Sequence, residues 1–201
     1  MDQNTKSSDL HHLKHWQHVY KKKRRHANYA SAKNMAIAQL MTIFGAIIAG
    51  LILDSNKLTL AAMTGSFLLL PAIFDLSSSV GASLSAKINH RIVEGRGRKF
   101  KLFIKATLFA FFIGLLSGVL VSLIGAAFAN LIFEASFIKV FVLGVGSISL
   151  CMLIGFPIVG YSSMLLIKKG INPDDVIGPI ETALFYILAV ASISLISGAL
   201  L

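Results

Sequence analysis

Five apolar runs, each long enough to cross a lipid bilayer, are separated by short segments that hold nearly all of the charge in this 201-residue chain. They extend approximately from Met35 to Leu53, Leu58 to Ala86, Phe103 to Phe133, Phe137 to Ile167 and Val176 to Leu201. Roughly 20 apolar residues in helical form cross the hydrocarbon core. A backbone in hydrocarbon must satisfy its own hydrogen bonds, which leaves helices or closed barrels, and runs of this length read as helices. The expected fold class is therefore all-α, a polytopic membrane protein with five transmembrane helices. Three runs exceed the minimum by about ten residues, which predicts tilted or broken helices. Pro71, Pro157 and Pro179 are the expected break points, with the second and fifth spans broken by proline. A basic tail, residues 1–32, precedes one integral membrane domain, residues 33–201.

The basic residues set the expected orientation. Eight of the nineteen (Lys6, Lys14, Lys21, Lys22, Lys23, Arg24, Arg25 and Lys33) precede the first span. Lys87, Arg91, Arg96, Arg98, Lys99, Lys101 and Lys105 surround the second connection, and Lys168 and Lys169 follow the fourth span. The first and third connections hold only Lys57 and Lys139. Basic and neutral loops alternate, as the positive-inside rule requires of a five-span protein, so the amino terminus is expected in the cytoplasm and the carboxyl terminus outside the cell membrane.

The net charge of +10 is accounted for by this topology and by anionic lipid, and no nucleic acid partner is expected. His11, His12, His15 and His18 lie in the basic tail, at spacings open to a metal-binding helix face or to a solvated, lipid-facing segment. No apolar core of a signal peptide occurs in the first thirty residues. Cys151, alone within the fourth span, is expected to pack as a small apolar residue. Gly45, Ala49 and Gly50, Gly114 and Gly118, and Gly144 and Gly146 are expected where helices approach closely. No nucleophile–base pair or His-rich cluster lies within the spans, so an enzyme is not expected.

Carboxylates inside the spans carry the functional signal. Asp75 is the only charge between Leu58 and Lys87, and it follows Pro71 and precedes Ser77, Ser78, Ser79, Gly81, Ser83 and Ser85. A charge at the centre of a membrane helix costs at least about 2.5–3.5 kcal/mol, so a retained one points to an ion or proton path. This polar half of the second span must face protein or a water-filled cavity. The fifth span opens Asn172-Pro173-Asp174-Asp175, a good helix start, and reaches Pro179, Glu181 and Thr182 within the next turns. Asp174 and Asp175 read either as first-turn acids or as a vestibule. At 1.5 Å per residue Glu181 lies roughly 12 Å from Pro173, and Asp75 roughly 18 Å from Lys87, which predicts similar depth for the two carboxylates. Oxygen ligands without His or Cys select hard cations, chiefly magnesium or calcium. Candidate metal ligands are Asp75, Glu181, Asp174, Asp175, Ser78 and Thr182. A proton- or sodium-coupled carrier is also chemically open.

Two segments, Pro71-Ala72-Ile73-Phe74-Asp75 through Gly81-Ala82-Ser83-Leu84-Ser85 and Gly170-Ile171-Asn172-Pro173-Asp174-Asp175 through Gly178-Pro179-Ile180-Glu181-Thr182, resemble the membrane domain of MgtE-type magnesium transporters and the related solute carrier 41 family. With span count and topology, the resemblance covers about residues 33–201, as a single half-size membrane domain. It implies a divalent cation transporter or channel, with magnesium as the transported ion rather than a cofactor. It further implies a homodimer whose pore is lined by the second and fifth spans. Ser78-Ser79 replaces the family's common Gly-Asn, and Tyr186 stands where the family carries its main ion-binding acid. Either Glu181 takes over that role, or the chain is a non-transporting membrane partner subunit of a related transporter.

The orientation is checked by cysteine-accessibility labelling at Ser7→Cys and Ser55→Cys in a Cys151→Ala background. A membrane-impermeant thiol reagent applied to intact cells is expected to label position 55 and not position 7.

Overall fold

A computed structural model of the chain describes the backbone of residues 32–93, 99–169 and 173–201. The histidines and most of the basic residues of the tail, Arg96 and Arg98, the Asn172 cap, and the side chains of Asp174 and Asp175 lie outside the described residues. Helices account for the described chain as the apolar runs require: α1 (Ala32–Ser55), α2 (Lys57–Ala62), α3 (Ser66–Val93), α4 (Lys99–Phe133), α5 (Phe137–Lys168) and α6 (Pro173–Leu200). All except the short α2 are long and apolar enough to span a membrane. The packing described below concerns residues 38–201, which form one compact unit; of the preceding unit, residues 32–37 form the first turns of α1.

The prolines do not end their helices. Pro71, Pro157 and Pro179 lie within the continuous helices α3, α5 and α6. The interruption in the second apolar run falls earlier, at Met63-Thr64-Gly65 between α2 and α3, and there the chain turns on Gly65 with φ of 92°. Glycine adopts that conformation without steric cost, and a Cβ at this position would approach that of Ala129 to 2.9 Å. The turn restores its own hydrogen bonds. Ser66 Oγ donates to the Leu60 carbonyl at 2.6 Å, and the Ser66 amide donates to that of Met63 at 3.1 Å. This is a cheaper place to change direction than Pro71, because a proline after the first turns of a helix removes one donor but leaves the remaining ladder intact.

At the centre, α5 packs against α3, α4 and α6. Small residues set how near the helices come, as expected of association in lipid, where packing rather than water exclusion draws helices together. Gly114 lies under Met152 and Gly118 under Ile148 between α4 and α5, while Gly144 accommodates Ser122. Gly155 receives the Phe185 ring, which meets Phe156 edge-on with centroids 6.0 Å apart. The peripheral helix α1 meets α6 where Gly45 faces Ala183 and where Thr42 Oγ1 donates to the Pro179 carbonyl at 2.8 Å. Gly50 departs from the packing expectation, since a Cβ there would touch nothing within 4 Å. Cys151 is buried and unpaired in the core.

The connection between α4 and α5 is only three residues long and closes through side chain and backbone together. The Ala135 amide donates to the Ala129 carbonyl and the Glu134 amide to that of Asn130, the pairing of a left-handed helix cap, while Asn130 Nδ2 donates to the Ala135 carbonyl at 2.8 Å. Glu134 occupies the cap position with φ of 54°, where glycine is the usual residue. Its side chain is exposed. Glu134→Gly is therefore expected to stabilise the fold by about 1 kcal/mol, the order of the left-handed penalty for an L-residue. A higher midpoint of thermal unfolding in detergent is the measurement that checks it.

Candidate functional site

Helices α3 and α6 run antiparallel, and two contacts fix their register. Phe74 stacks on Tyr186 with ring centroids 3.9 Å apart and planes 3° from parallel. Seven residues further along α3, Gly81 abuts the carboxyl group of Glu181, five residues back along α6. A Cβ built on Gly81 would overlap Glu181 Oε1 and would lie 2.7 Å from Phe185 Cε2. The absent side chain of Gly81 thus makes the space that the Glu181 carboxyl group fills.

Glu181 is 2% exposed, and neither carboxylate oxygen has a hydrogen-bond partner within the protein among the described residues. The neighbouring backbone of α3 offers nothing, because helical amides are already committed to their own carbonyls. Burying an ionised carboxylate without partners is prohibitively costly, so the group needs a cation or a proton as companion. Its surroundings are the notch at Gly81 and the ring of Phe185, itself fully buried. Thr182, next in sequence, donates its hydroxyl to the Gly178 carbonyl at 2.9 Å.

Asp75 stands in a different environment. It is exposed on α3, on a stripe with Pro71, Ser79, Ala82, Ser83 and Ala86, with Ser78 half-buried alongside. Ser78 Oγ donates to the Asp75 carbonyl at 3.1 Å and Ser83 Oγ to that of Ser79 at 3.1 Å, so these hydroxyls satisfy themselves along the helix. Among the described residues the only ion pair is Lys57 with Asp54, at the end of α1, and Asp75 has none. A carboxylate on the outside of a membrane helix requires cover that a single chain does not supply.

The two carboxylates are not brought to one point within one chain. Six residues separate Asp75 from Gly81, which is about 9 Å along the helix and about 120° around it. The expectation of similar depth is corrected accordingly: Glu181 lies nearer the end that carries the basic connections, and Tyr186, through its stack on Phe74, occupies the level of Asp75. The offset exceeds that given by Lys87 as the helix end because α3 continues past Lys87 to Val93. A cleft of about 280 Å³ adjoins the stacked pair, lined by Leu70, Pro71, Phe74, Tyr186, Ala189 and Val190. Among the described residues no three His, Cys, Asp or Glu side chains converge to hold a metal. Gly81, Phe74 and Phe185 were not among the expected site residues. No single helix marks them, since each matters only through its partner on another helix.

The model of the MgtE family, divalent cation transporters, matches residues 70–196, more than half of the chain. The chain belongs to this family. No curated protein matches it. Membership makes the protein an MgtE-type multi-pass membrane protein of a transporter family, not of an enzyme family, and the match takes in most of α3, all of α4 and α5 and most of α6. Asp75, Gly81, Glu181 and Tyr186 all fall within the matched MgtE region.

The Gly81–Glu181 notch is open to a double-mutant cycle read by thermal unfolding. Gly81→Ala is expected to lower the midpoint strongly in the unmodified chain and less in a Glu181→Ala background, with a coupling of about 1–3 kcal/mol as for residues in direct contact.

Proposed function

We propose that this MgtE-family chain moves magnesium down its electrochemical gradient across the cell membrane, as a homodimer with a path lined by α3 and α6. The observation that carries the reading is Asp75, a carboxylate on an exposed stripe of a membrane-spanning helix with no ion-pair partner among the described residues. A second copy related by a two-fold axis supplies cover for the Asp75 end of that stripe and places two carboxylates, with the Ser78 hydroxyls, around one path. Acid, hydroxyl and carbonyl oxygens suit a hard divalent ion, and a magnesium ion that keeps several of its waters needs only one or two carboxylates.

In this reading Asp75 and Ser78 face the ion at the level of Tyr186. Glu181 and Thr182 contribute from further toward the cytoplasm, and Asp174 and Asp175 form the vestibule there. Glu181 meets the ion only when α3 and α6 part at Gly81, because its carboxyl group is otherwise enclosed. The orientation with the amino terminus inside rests on the basic loops. A second reading, a non-transporting partner of a related transporter, draws on the Phe74–Tyr186 stack, which sets an aromatic pair rather than an acid beside Asp75.

Magnesium uptake into a transport-deficient host that expresses this chain alone separates the two. Uptake is expected from the unmodified chain, loss of it in Asp75→Asn and in Glu181→Gln, and partial loss in Asp174→Asn. No uptake from the well-expressed unmodified chain favours the partner-subunit reading. Unchanged uptake in Glu181→Gln with loss in Tyr186→Phe assigns the ion site to the level of the aromatic pair and removes Glu181 from it. Cysteines at Ser78 or Ser79 are expected to crosslink two copies in membranes, and a stable monomer without either crosslink overturns the dimer.

A further inference from the structure

On the side of α3 that faces α4, away from Glu181, a groove of about 270 Å³ lies between the two helices. Its walls are Val80, Leu84, Ala106, Ala110 and Ile113, and Ser79 and Ser83 lie along one edge. Lys87 closes the end nearest the basic connection, with its ammonium 4.0 Å from the centroid of the Phe109 ring. From Ser79 to Lys87 is eight residues, so the groove runs roughly 12 Å along the helix axis. Phe109 and Ile113 are partly exposed on its rim, which opens the groove toward the surrounding bilayer.

The charge of this groove lies at one end only. Lys87 lies within the apolar span of α3 and makes no ion pair among the described residues; a phenylalanine ring stabilises its charge only weakly. Lys101 and Lys105 on the first turns of α4 and Arg91 on the last of α3 add positive charge at the same end. A ligand that matches has a negative head at Lys87 and an apolar chain that runs along Leu84, Ala110 and Ile113 toward the bilayer centre. We propose that the groove binds an anionic phospholipid of the leaflet on the basic side, with its phosphate at Lys87 and one acyl chain between α3 and α4. Basic pockets between membrane helices recognise anionic headgroups in this way. The charge of Lys87 selects the headgroup, and the length and depth of the groove hold the chain. The inference is independent of which ion the protein moves.

The test uses the full chain in detergent, exchanged with phosphatidylglycerol or with phosphatidylcholine of the same acyl chains, and counts retained lipid by native mass spectrometry. One phosphatidylglycerol per chain is expected to survive delipidation that removes phosphatidylcholine. Lys87→Gln is expected to cut retained phosphatidylglycerol about five-fold, the share of one lysine at an anionic surface. Ile113→Trp, which fills the groove and leaves every charge in place, is expected to cut it as well. Lys168→Gln, which lowers the charge at the same end but lies off the groove, is expected to leave it unchanged. Equal retention of the two lipids, or equal loss in Lys87→Gln and Lys168→Gln, overturns the site. A crosslink between copies from the pair Ser83→Cys and Ile113→Cys also overturns it, since a second copy then occupies the groove. Both test positions are exposed, and unchanged unfolding midpoints of the variants keep loss of lipid distinct from loss of fold.

Discussion

Hydrocarbon neither hydrogen-bonds to a backbone nor drives apolar helices together, and the structure depends on both facts. The first makes every crossing segment helical and confines turns to the ends of spans, where Gly65 and Glu134 carry the left-handed conformations. The second leaves close packing as the adhesive, so the positions without side chains decide which helices meet. Gly114 and Gly118 seat α4 on α5, Gly155 seats the Phe185 ring of α6, and Gly45 seats α1 on Ala183.

Gly81 turns the same device toward chemistry. A glycine that faces Phe185 alone would be packing; facing Glu181 as well, it admits a carboxyl group into a space with no donors from the protein among the described residues. The energetic consequence is that Glu181 stays there only with a proton or a cation. Asp75, on the opposite flank of α3, depends instead on what covers the outside of the bundle. One helix thus presents two acid environments, set apart by about a third of a turn around its axis and about one and two-thirds turns along it. The Phe74–Tyr186 stack holds α3 and α6 in the register that keeps these environments separate.

The remaining face of α3 meets α4 and is asymmetric along its length. Lys87 and the basic residues near it lie at one end, and the groove beyond has apolar walls as far as Ile113, with Ser79 and Ser83 on its edge. The buried acid therefore has a face of α3 to itself, while ion path and lipid groove adjoin along Ser79 and Ser83. The serines follow the same division: Ser85 bonds Ser163 on α5 at 2.9 Å inside the bundle, while Ser79 and Ser83 edge the groove.

The sequence by itself determined the helical class, the five spans and the family, because hydropathy and length are properties of a run of residues and need no partner. It also singled out Asp75 and Glu181, since a carboxylate in an apolar run is conspicuous wherever the run folds. It misplaced the break in the second run, assigning it to Pro71 when Gly65 carries the turn: a proline near a helix start costs one hydrogen bond, whereas a φ of 92° so close to Ala129 requires a residue without Cβ. The relation between the acids was decided by the tertiary structure alone. Depth along one helix can be counted from its ends, but the offset between two helices is set by which side chains interlock, and here Phe74 with Tyr186 and Gly81 with Glu181 interlock across α3 and α6.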